Sequence, residues 1–338
     1  MNQYIKFFLV AALFVTVASC NRDEVFNKEQ YKNVFAIVSG DYNVRTVVHD
    51  YRNPVDTGYI SASLGGSNLA DKDIVIKLTE DQDVLLNYNK ILYQSDRGRY
   101  VKALPQDRYS FDKGYTLTIR AGETGAILPV MVSTEGLSPD SVRYIPLRVD
   151  TYNACEMNAD KGTVLYAVRV KNWWATYNGT NYVSRGIQYQ DSMASVNIYK
   201  NKNLYPFGPT TVRTMPGTEP EKDGANNVMY KDYAMMIQIG DDSIPRTIGG
   251  MVKSCCPVTI TPFANLDVAM VAENDSVFDP DYPNVAISAD YDGYGLKMHK
   301  TLLLHYRFVD SKGNKLRIKE EMRFEYIPDP KDPRFLNN

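Results

Sequence analysis

Short stretches in which apolar and polar residues alternate run through most of the chain, and they predict strands that bury one face. In Asp73-Ile-Val-Ile-Lys-Leu78, for example, Ile74, Ile76 and Leu78 share one face. Turn-forming residues such as Gly65-Gly66-Ser67-Asn68 separate these stretches. The pattern contains no long amphipathic helix. It therefore predicts an antiparallel all-β protein.

The predicted strands fall into two series. Residues 34–172 favour a β-sandwich with one short helix, for which Thr79 is the expected N-cap residue. Residues 173–338 show roughly eight or nine strands joined mostly by hairpin-sized turns, including a clear turn at Asp310-Ser-Lys-Gly-Asn314. Such a series suits an up-and-down barrel of the lipocalin or streptavidin kind, and a second sandwich is the alternative.

The start of the chain carries an apolar run from Phe7 to Ala18. It is shorter than the span of about 20 residues that a membrane-crossing helix needs, and it fits the core of a signal peptide. The small pair Ala18-Ser19 followed by Cys20 resembles the bacterial lipobox, in which the cysteine is acylated and becomes the mature N-terminus. We therefore expect a signal peptide at 1–19 and an anchor with linker at 20–33. The alternative is an ordinary secretory signal with an incidental Cys20.

Two acidic residues follow the cysteine, and they bear on location. Asp23-Glu24 resembles the acidic surface-export signal of Bacteroidetes lipoproteins. We expect a lipid-anchored protein of the outer membrane that faces outside the cell, with contact to the membrane through the anchor only. Two solvated charges near a terminus are the alternative interpretation.

Charge and aromatic content narrow the classes of partner. The formal net charge is -2 at pH 7, so the chain lacks the basic field that binds nucleic acid or acidic lipid. Tyrosine is abundant, with 25 residues, and phenol rings suit both strand packing and stacking on sugars. The composition therefore favours neutral or small partners.

The search for reactive groups is mostly negative. Besides Cys20, only Cys155, Cys255 and Cys256 are present, too few for a disulfide framework and without a neighbouring histidine for a metal site. No serine-nucleophile elbow or glycine-rich phosphate loop occurs, so no cofactor is expected. His299 and His305 could share one strand face, but they lack a third ligand and are expected to pack.

Carboxylates likewise give no catalytic set. Glu320 and Glu321 are neighbours on a predicted strand and must point to opposite faces, so they cannot act together as glycosidase acids. The runs Asp279-Pro-Asp281 and Asp290-Tyr-Asp292-Gly-Tyr294 lack the closing ligands of a calcium loop and predict turns. We therefore expect neither a catalytic residue nor a metal. For the function, an undescribed hydrolase is one alternative.

A resemblance to a known family adds expectations about the fold and the cellular location. The segments that carry it occur in order: Ile74 to Leu78, Glu80 to Tyr88, Leu104-Pro105 with Tyr109, Leu117-Thr-Ile-Arg-Ala-Gly122, Tyr144-Ile-Pro-Leu-Arg-Val149 and Gly162-Thr-Val-Leu-Tyr166. This order resembles the immunoglobulin-like N-terminal domain of Bacteroidetes surface lipoproteins in polysaccharide-utilisation systems. That domain is best known in front of the catalytic barrel of an endo-N-acetylglucosaminidase. The catalytic run of that barrel has no counterpart after Asn172, where the chain is similar instead to uncharacterised C-terminal domains of the same lipoproteins.

One stretch suggests contact with a ligand. Residues 172–182 hold both tryptophans, and indole or phenol rings can pack on the C–H faces of sugars while Asn and Thr groups bond their hydroxyls. The candidate ligand-binding residues are Trp173, Trp174, Tyr177, Tyr182, Tyr291 and Tyr294. The alternative is that one tryptophan plugs the bottom of a barrel and the other seals an interdomain contact.

These observations together predict a non-catalytic glycan-binding protein of the cell surface. Its expected partners are an oligosaccharide or polysaccharide and an outer-membrane importer or glycosidase of the same system. The alternative function is a surface adhesion or structural lipoprotein that binds proteins, which would need an exposed apolar patch or sheet edge.

Overall fold

The computed structural model describes residues 32–66, 68–153, 156–190, 195–218, 233–291 and 297–328. The protein is almost all β, with 57% of residues in strands and 9% in helices, which confirms the predicted fold class. Its strands form two curled sheets of ten strands each. Within the described residues, no helix is long and apolar enough to cross a membrane.

The first sheet contains the ten strands that precede residue 172. They are β1 (Val34–Ile37), β2 (Val44–Asp50), β3 (Val55–Gly65), β4 (Ile74–Glu80), β5 (Lys102–Ala103), β6 (Tyr109–Ile119), β7 (Gly125–Ser133), β8 (Arg143–Tyr152), β9 (Glu156–Met157) and β10 (Thr163–Lys171). The order is β2-β10-β8-β4-β6-β7-β3-β1-β9, with β5 beside β8. In β4, Ile74, Ile76 and Leu78 are buried as the alternation predicts. The very short β5 pairs in parallel with β8, and the equally short β9 pairs in parallel with β1, a departure from the predicted antiparallel pattern.

The single α-helix of the described residues, α1 (Gln82–Tyr93), begins later than the sequence predicts. Asp81 is its N-cap residue, and its carboxylate accepts a hydrogen bond of 2.9 Å from the backbone N–H of Asp83. The prediction of Thr79 as N-cap is wrong because Thr79 and Glu80 pair with β8 and extend β4. Tertiary pairing therefore overrides the local capping signal.

The second sheet contains the remaining ten strands. They are β11 (Thr180–Gln190), β12 (Val196–Pro206), β13 (Thr211–Thr214), β14 (Tyr233–Ile239), β15 (Ile244–Ile248), β16 (Met251–Ala264), β17 (Asp267–Met270), β18 (Val285–Tyr291), β19 (Met298–Val309) and β20 (Lys315–Tyr326). Eight of them close in the order β11-β12-β13-β14-β16-β18-β19-β20 and back to β11, each pair antiparallel. This closed barrel is the first of the two predicted alternatives. The turn between β19 and β20 is confirmed, with the Asp310 N–H bonded to the Asn314 carbonyl at 3.0 Å.

Both faces of β19 are buried, which is unusual for a barrel wall. Its inward residues Leu302, Leu304 and Tyr306 lie in the barrel core. On the outside, Leu303 packs with Cys255, Val285 and Ile287 in a separate small cluster. The β15–β16 hairpin supplies Cys255 and also Ile248, so part of the outer wall is covered by the protein's own chain.

Contacts divide the chain into two units. The first is Met1–Val47, Thr57–Met131 and Arg143–Ala167, and the second is Val48–Asp56, Val132–Val142 and Val168–Asn338. Two segments that precede the predicted boundary at residue 172, namely 48–56 and 132–142, thus cluster with the barrel. Independent folding of the two predicted domains stays a prediction.

Candidate functional site

Two of the predicted ligand-binding residues lie in the barrel core. Trp174 is 4% exposed and Tyr182 is fully buried, and the Tyr182 hydroxyl donates to the Trp174 carbonyl oxygen at 2.9 Å. Asn172 fixes this turn, because its side-chain oxygen accepts from the backbone N–H groups of Trp174 and Ala175. The position of Trp174 fits the core alternative, since its ring has almost no surface to offer a sugar.

Trp173 is half-buried and packs against the same core. The Lys300 ammonium lies 3.8 Å from the centre of its ring and 5.0 Å from that of Tyr326. Lys300 also donates to the Trp173 carbonyl oxygen. These contacts make a cation–π cluster that holds the indole in place.

The other candidates are scattered. Tyr177 is half-buried, and the Arg169 guanidinium lies 5.0 Å from its ring centre. Cys20, Tyr294 and the side chain of Tyr291 lie outside the described residues. Ligand contact by any of the predicted residues stays a prediction. Of those whose side chains the structure describes, Trp173, Trp174 and Tyr182 belong to the barrel core cluster or pack against it.

A groove with unused polar groups lies on the outer wall of the barrel, along β20. Two cavities, of 240 and 530 Å³, share Glu321 and Arg323 as lining residues. We call them together the outer groove. It is lined by Val183, Arg185, Ile248, Gly249, Met251, Lys253, Ile287, Asp290, His299, Thr301, Leu303, Glu321, Arg323 and Glu325. Strand alternation points the odd-numbered residues of β19 and β20 away from the core, and those from His299 to Leu303 and from Glu321 to Glu325 line this groove.

The floor of the outer groove contains two polar atoms without hydrogen-bond partners. Thr301 on β19 and Arg323 on β20 are directly opposite each other in the antiparallel ladder. Thr301 is 4% exposed, and neither its Oγ1 nor the Arg323 Nε has a hydrogen-bond partner among the residues that the structure describes. Because an unpaired buried polar group costs about 1–3 kcal/mol, such a pair points to a place that a ligand or ordered water completes.

A carboxylate stands next to this pair. Glu321 is half-buried and makes no hydrogen bond or ion pair with any residue in the part of the chain that the structure describes. Its ladder neighbour on β11 is Arg185, whose guanidinium lies 5.4 Å from the ring centre of the exposed Tyr199. The outer groove therefore offers the free carboxylate of Glu321 as an acceptor. It lies near the exposed cation Arg185 and near the two atoms without partners on Thr301 and Arg323.

Ion pairs and hydrogen bonds fix the rim. Lys253 and Asp290 lie 2.6 Å apart, which ties β16 to β18. Arg323 Nη2 donates to His299 Nδ1 at 2.9 Å, and His299 Nε2 lies 3.6 Å from the Glu325 carboxylate. The hydrogen bond from Lys297 lowers the pKa of Glu325. His299 is thus buried at the rim and hydrogen-bonded to Arg323.

One wall of the outer groove is apolar. It consists of Ile248 and Met251 from the β15–β16 hairpin, Ile287 from β18 and Leu303 from β19. Met251 is 62% exposed. A groove with free hydrogen-bonding groups on one side and apolar surface on the other can hold a ligand that has both kinds of face, which sugars do.

The neighbour of Glu321 has a different environment. Glu320 is fully buried inside the barrel, where Lys202 lies 2.6 Å from it and the hydroxyls of Ser184 and Tyr306 donate to it at 2.6 and 2.7 Å. The two glutamates thus face opposite ways, as predicted. Glu320 neutralises a buried lysine, and only Glu321 is presented to the outside.

A third cavity, of 510 Å³, lies near the start of β20 and is a weaker candidate. Its Arg307 donates to Asp275 at 2.7 Å, and its Arg317 donates to His305 Nε2 at 3.2 Å and stacks on Tyr189. Both guanidinium groups are therefore engaged by the protein itself. Across the described ranges, no cluster of three or more His, Cys, Asp or Glu residues could hold a metal ion in this cavity or elsewhere.

Sequence reasoning missed Thr301 and Arg323, and it considered Glu321 only as a catalytic acid. The available signal was the stripe of charged residues at odd positions from Lys315 to Glu325, which marks a wet face of the last strand. What turns this face into a groove is the β15–β16 hairpin beside it, and local periodicity does not reveal that packing.

Comparisons with known proteins show which family models match the two parts of the chain and which solved structures have a similar fold. Residues 26–155 match the model of a family described as an N-terminal domain, and residues 162–323 match that of a family described as a C-terminal domain. No curated protein sequence matches the chain.

Solved structures from Bacteroides share the fold. One of unknown function from Bacteroides ovatus is 16% identical, with a TM-score of 0.57 over 89% of this chain and 98% of that one. A second, also from Bacteroides ovatus and of unknown function, is 16% identical, with a TM-score of 0.53 over 92% and 96%. An auxiliary nutrient binding protein from Bacteroides thetaiotaomicron is 13% identical, with a TM-score of 0.53 over 84% and 91%.

Proposed function

We propose that this chain, whose residues 26–155 and 162–323 match the two families just described, is a cell-surface glycan-binding protein that does no chemistry on its ligand. A protein of the same fold is named an auxiliary nutrient binding protein, which supports a role in nutrient capture. The outer groove is the proposed binding site, and its ligand is an oligosaccharide or a segment of a polysaccharide.

The observation that carries this proposal is the set of unused polar groups in the outer groove. Glu321 can accept hydrogen bonds from sugar hydroxyls, and the Arg323 Nε–H can donate one. The apolar wall around Met251 can pack on the C–H face of a ring. A cavity of 530 Å³ falls within the range of about 300–1,000 Å³ that small-ligand sites have.

The proposed location follows from the start of the sequence. The lipobox-like order that ends in Cys20 would place the protein on the outer membrane by a lipid anchor, facing outside. There it would hold glycan for an importer or glycosidase of the same system. A Cys20→Ala form that still partitions with outer membranes and incorporates labelled fatty acid would contradict the anchor.

A second candidate function is binding of a protein partner. The tip of the β15–β16 hairpin exposes Met251 by 62% and Val252 by 74%, and β15 is the last strand in the order of its sheet. An exposed apolar tip beside a sheet edge suits strand addition by another chain. This surface adjoins the outer groove, so the two candidate functions need separate variants.

A glycan array probed with the protein lacking residues 1–20 tests the proposed function. We expect binding to a defined group of glycans, and loss of that binding in Glu321→Gln, which keeps the shape of the side chain and removes its charge. Val252→Ser is the matched variant for the alternative and should leave glycan binding intact. Absence of binding across the array would contradict glycan capture and favour the protein partner.

A further inference from the structure

We infer that the outer groove takes a sugar that bears an acetamido group, with the amide placed between Thr301 and Arg323. This inference rests on the proposed glycan-binding function and names the class of sugar. Of the buried polar side-chain atoms that line the outer groove in the described part of the chain, only Thr301 Oγ1 and Arg323 Nε lack a hydrogen-bond partner.

The two unpaired atoms match the two polar ends of one secondary amide. The Arg323 Nε–H can only donate, whereas the Thr301 hydroxyl can also accept. A secondary amide carries one acceptor and one donor that point in opposite directions, so its C=O can accept from Arg323 while its N–H donates to Thr301. Because the two residues are directly opposite on adjacent strands, a single inserted group can reach both.

The guanidinium of Arg323 is held in one orientation. Its Nη2 donates to His299 Nδ1 at 2.9 Å, and its buried Nε has no hydrogen-bond partner among the described residues. A donor that is already held in one orientation lowers the entropic cost of ordering this side chain when a ligand binds. His299 therefore acts as a positioning residue for this contact.

The apolar lining lies where the methyl of the acetyl group would need it. Leu303 is two residues along β19 from Thr301 and faces the same way, and Ile287 and Met251 line the same cavity. A hydroxyl in place of the acetamido group could satisfy one of the unpaired atoms but would leave this apolar surface without a contact. The combination therefore discriminates between the two substituents.

Charge disfavours a cationic sugar. Lys253 is paired with Asp290, and Glu325 with Lys297. The other charged residues that line the groove are Arg185, Arg323 and Glu321, so the cations outnumber the anions by one. An N-acetylated hexosamine is uncharged and is compatible with this balance, whereas a free amino sugar would bring a further positive charge next to Arg185 and Arg323.

Paired oligosaccharides that differ only in an acetamido group against a hydroxyl test the inference. The pairs are tetra-N-acetylchitotetraose with cellotetraose and N-acetyllactosamine with lactose, measured by isothermal titration calorimetry beside the glycan array. We expect the acetamido member of a pair to bind about tenfold tighter or more, or the array ligands to carry acetamido groups. If the hydroxyl member binds equally well, or the array ligands carry no acetamido group, the inference falls and glycan binding stands. If no glycan binds, the proposed function itself falls.

Thr301→Val gives the residue-level test. The substitution keeps the shape of the side chain and removes the hydroxyl, so it should weaken binding of the acetamido sugar about tenfold and leave binding of its hydroxyl counterpart unchanged. Thr301→Ser should restore the preference. Since Thr301 Oγ1 makes no hydrogen bond in the protein, the melting temperature of Thr301→Val should not fall. A Thr301→Val variant with unchanged preference would overturn the assignment.

Discussion

Arg213 and Asp140 form an ion pair through two hydrogen bonds, with Nη1 and Nη2 of the arginine 2.7 and 2.6 Å from the two carboxylate oxygens. Arg213 is only 2% exposed, and its guanidinium lies 5.3 and 5.0 Å from the ring centres of Phe207 and Phe263. The pair ties the segment 132–142 to β13 within the second unit. Part of the chain before residue 172 is thus fastened to the barrel.

The first prediction concerns this pair. Asp140→Ala leaves a buried guanidinium without its counter-ion and should lower the free energy of unfolding by about 3 kcal/mol. Urea denaturation measures the change. Glu156→Ala is the control, since its partner Lys32 is exposed and the pair should contribute less than about 1 kcal/mol. Equal effects of the two substitutions would contradict the buried role.

The second prediction concerns the fragment 173–338. Because 48–56 and 132–142 cluster with the barrel, a fragment without them should melt at a temperature lower by about 10 °C than the barrel transition of the full chain. Circular dichroism of fragment and full chain gives both values. Identical melting would show that the boundary predicted at residue 172 separates independent domains.

The third prediction separates core from ligand contact at the tryptophans. Trp174→Ala should cost about 3 to 5 kcal/mol of stability, because it empties a buried site in the barrel. Trp173→Ala should remain folded, having lost a half-buried ring and its contact with Lys300. If the outer groove is the site, folded Trp173→Ala binds the array ligand like the parent. Loss of binding there would instead support the residues predicted from the sequence.

The fourth prediction is a pH dependence. Burial, with the charge of Arg317 next, lowers the pKa of His305 to about 4, and Lys319, Asp279 and Arg307 also act on it. The unfolded chain takes up this proton near pH 6.5, so between about pH 6.5 and pH 4 the unfolded state binds more protons and acid destabilises the fold.

His305→Gln tests this dependence, since glutamine keeps an acceptor for Arg317 and does not titrate. Between pH 7 and pH 5 the parent should lose about 1 to 2 kcal/mol more than the variant. Asp275, whose pKa Arg307 lowers to about 2, loses its contribution only below about pH 4 and does not interfere. Parallel losses in parent and variant would contradict a buried neutral His305.

The sequence predicts most of the fold because period-two alternation survives in the structure. The opposite faces of Glu320 and Glu321 and the turn at Asp310 follow from local rules alone. The N-cap of α1 does not, since pairing with β8 decides how far β4 extends. The outer groove likewise could not be predicted from local sequence rules. The Thr301–Arg323 pair depends on the register between two strands, and the groove walls depend on a hairpin that folds over the barrel.

The most direct test of glycan capture is calorimetric titration of the best array ligand into the parent, Glu321→Gln and Asp267→Asn. Asp267 lines the third cavity and is the matched control. We predict that Glu321→Gln weakens binding about tenfold or more, because it removes a charged acceptor, and that Asp267→Asn and all melting temperatures stay unchanged. Full-strength binding by Glu321→Gln, or loss of binding by Asp267→Asn instead, would contradict the assignment of the ligand to the outer groove.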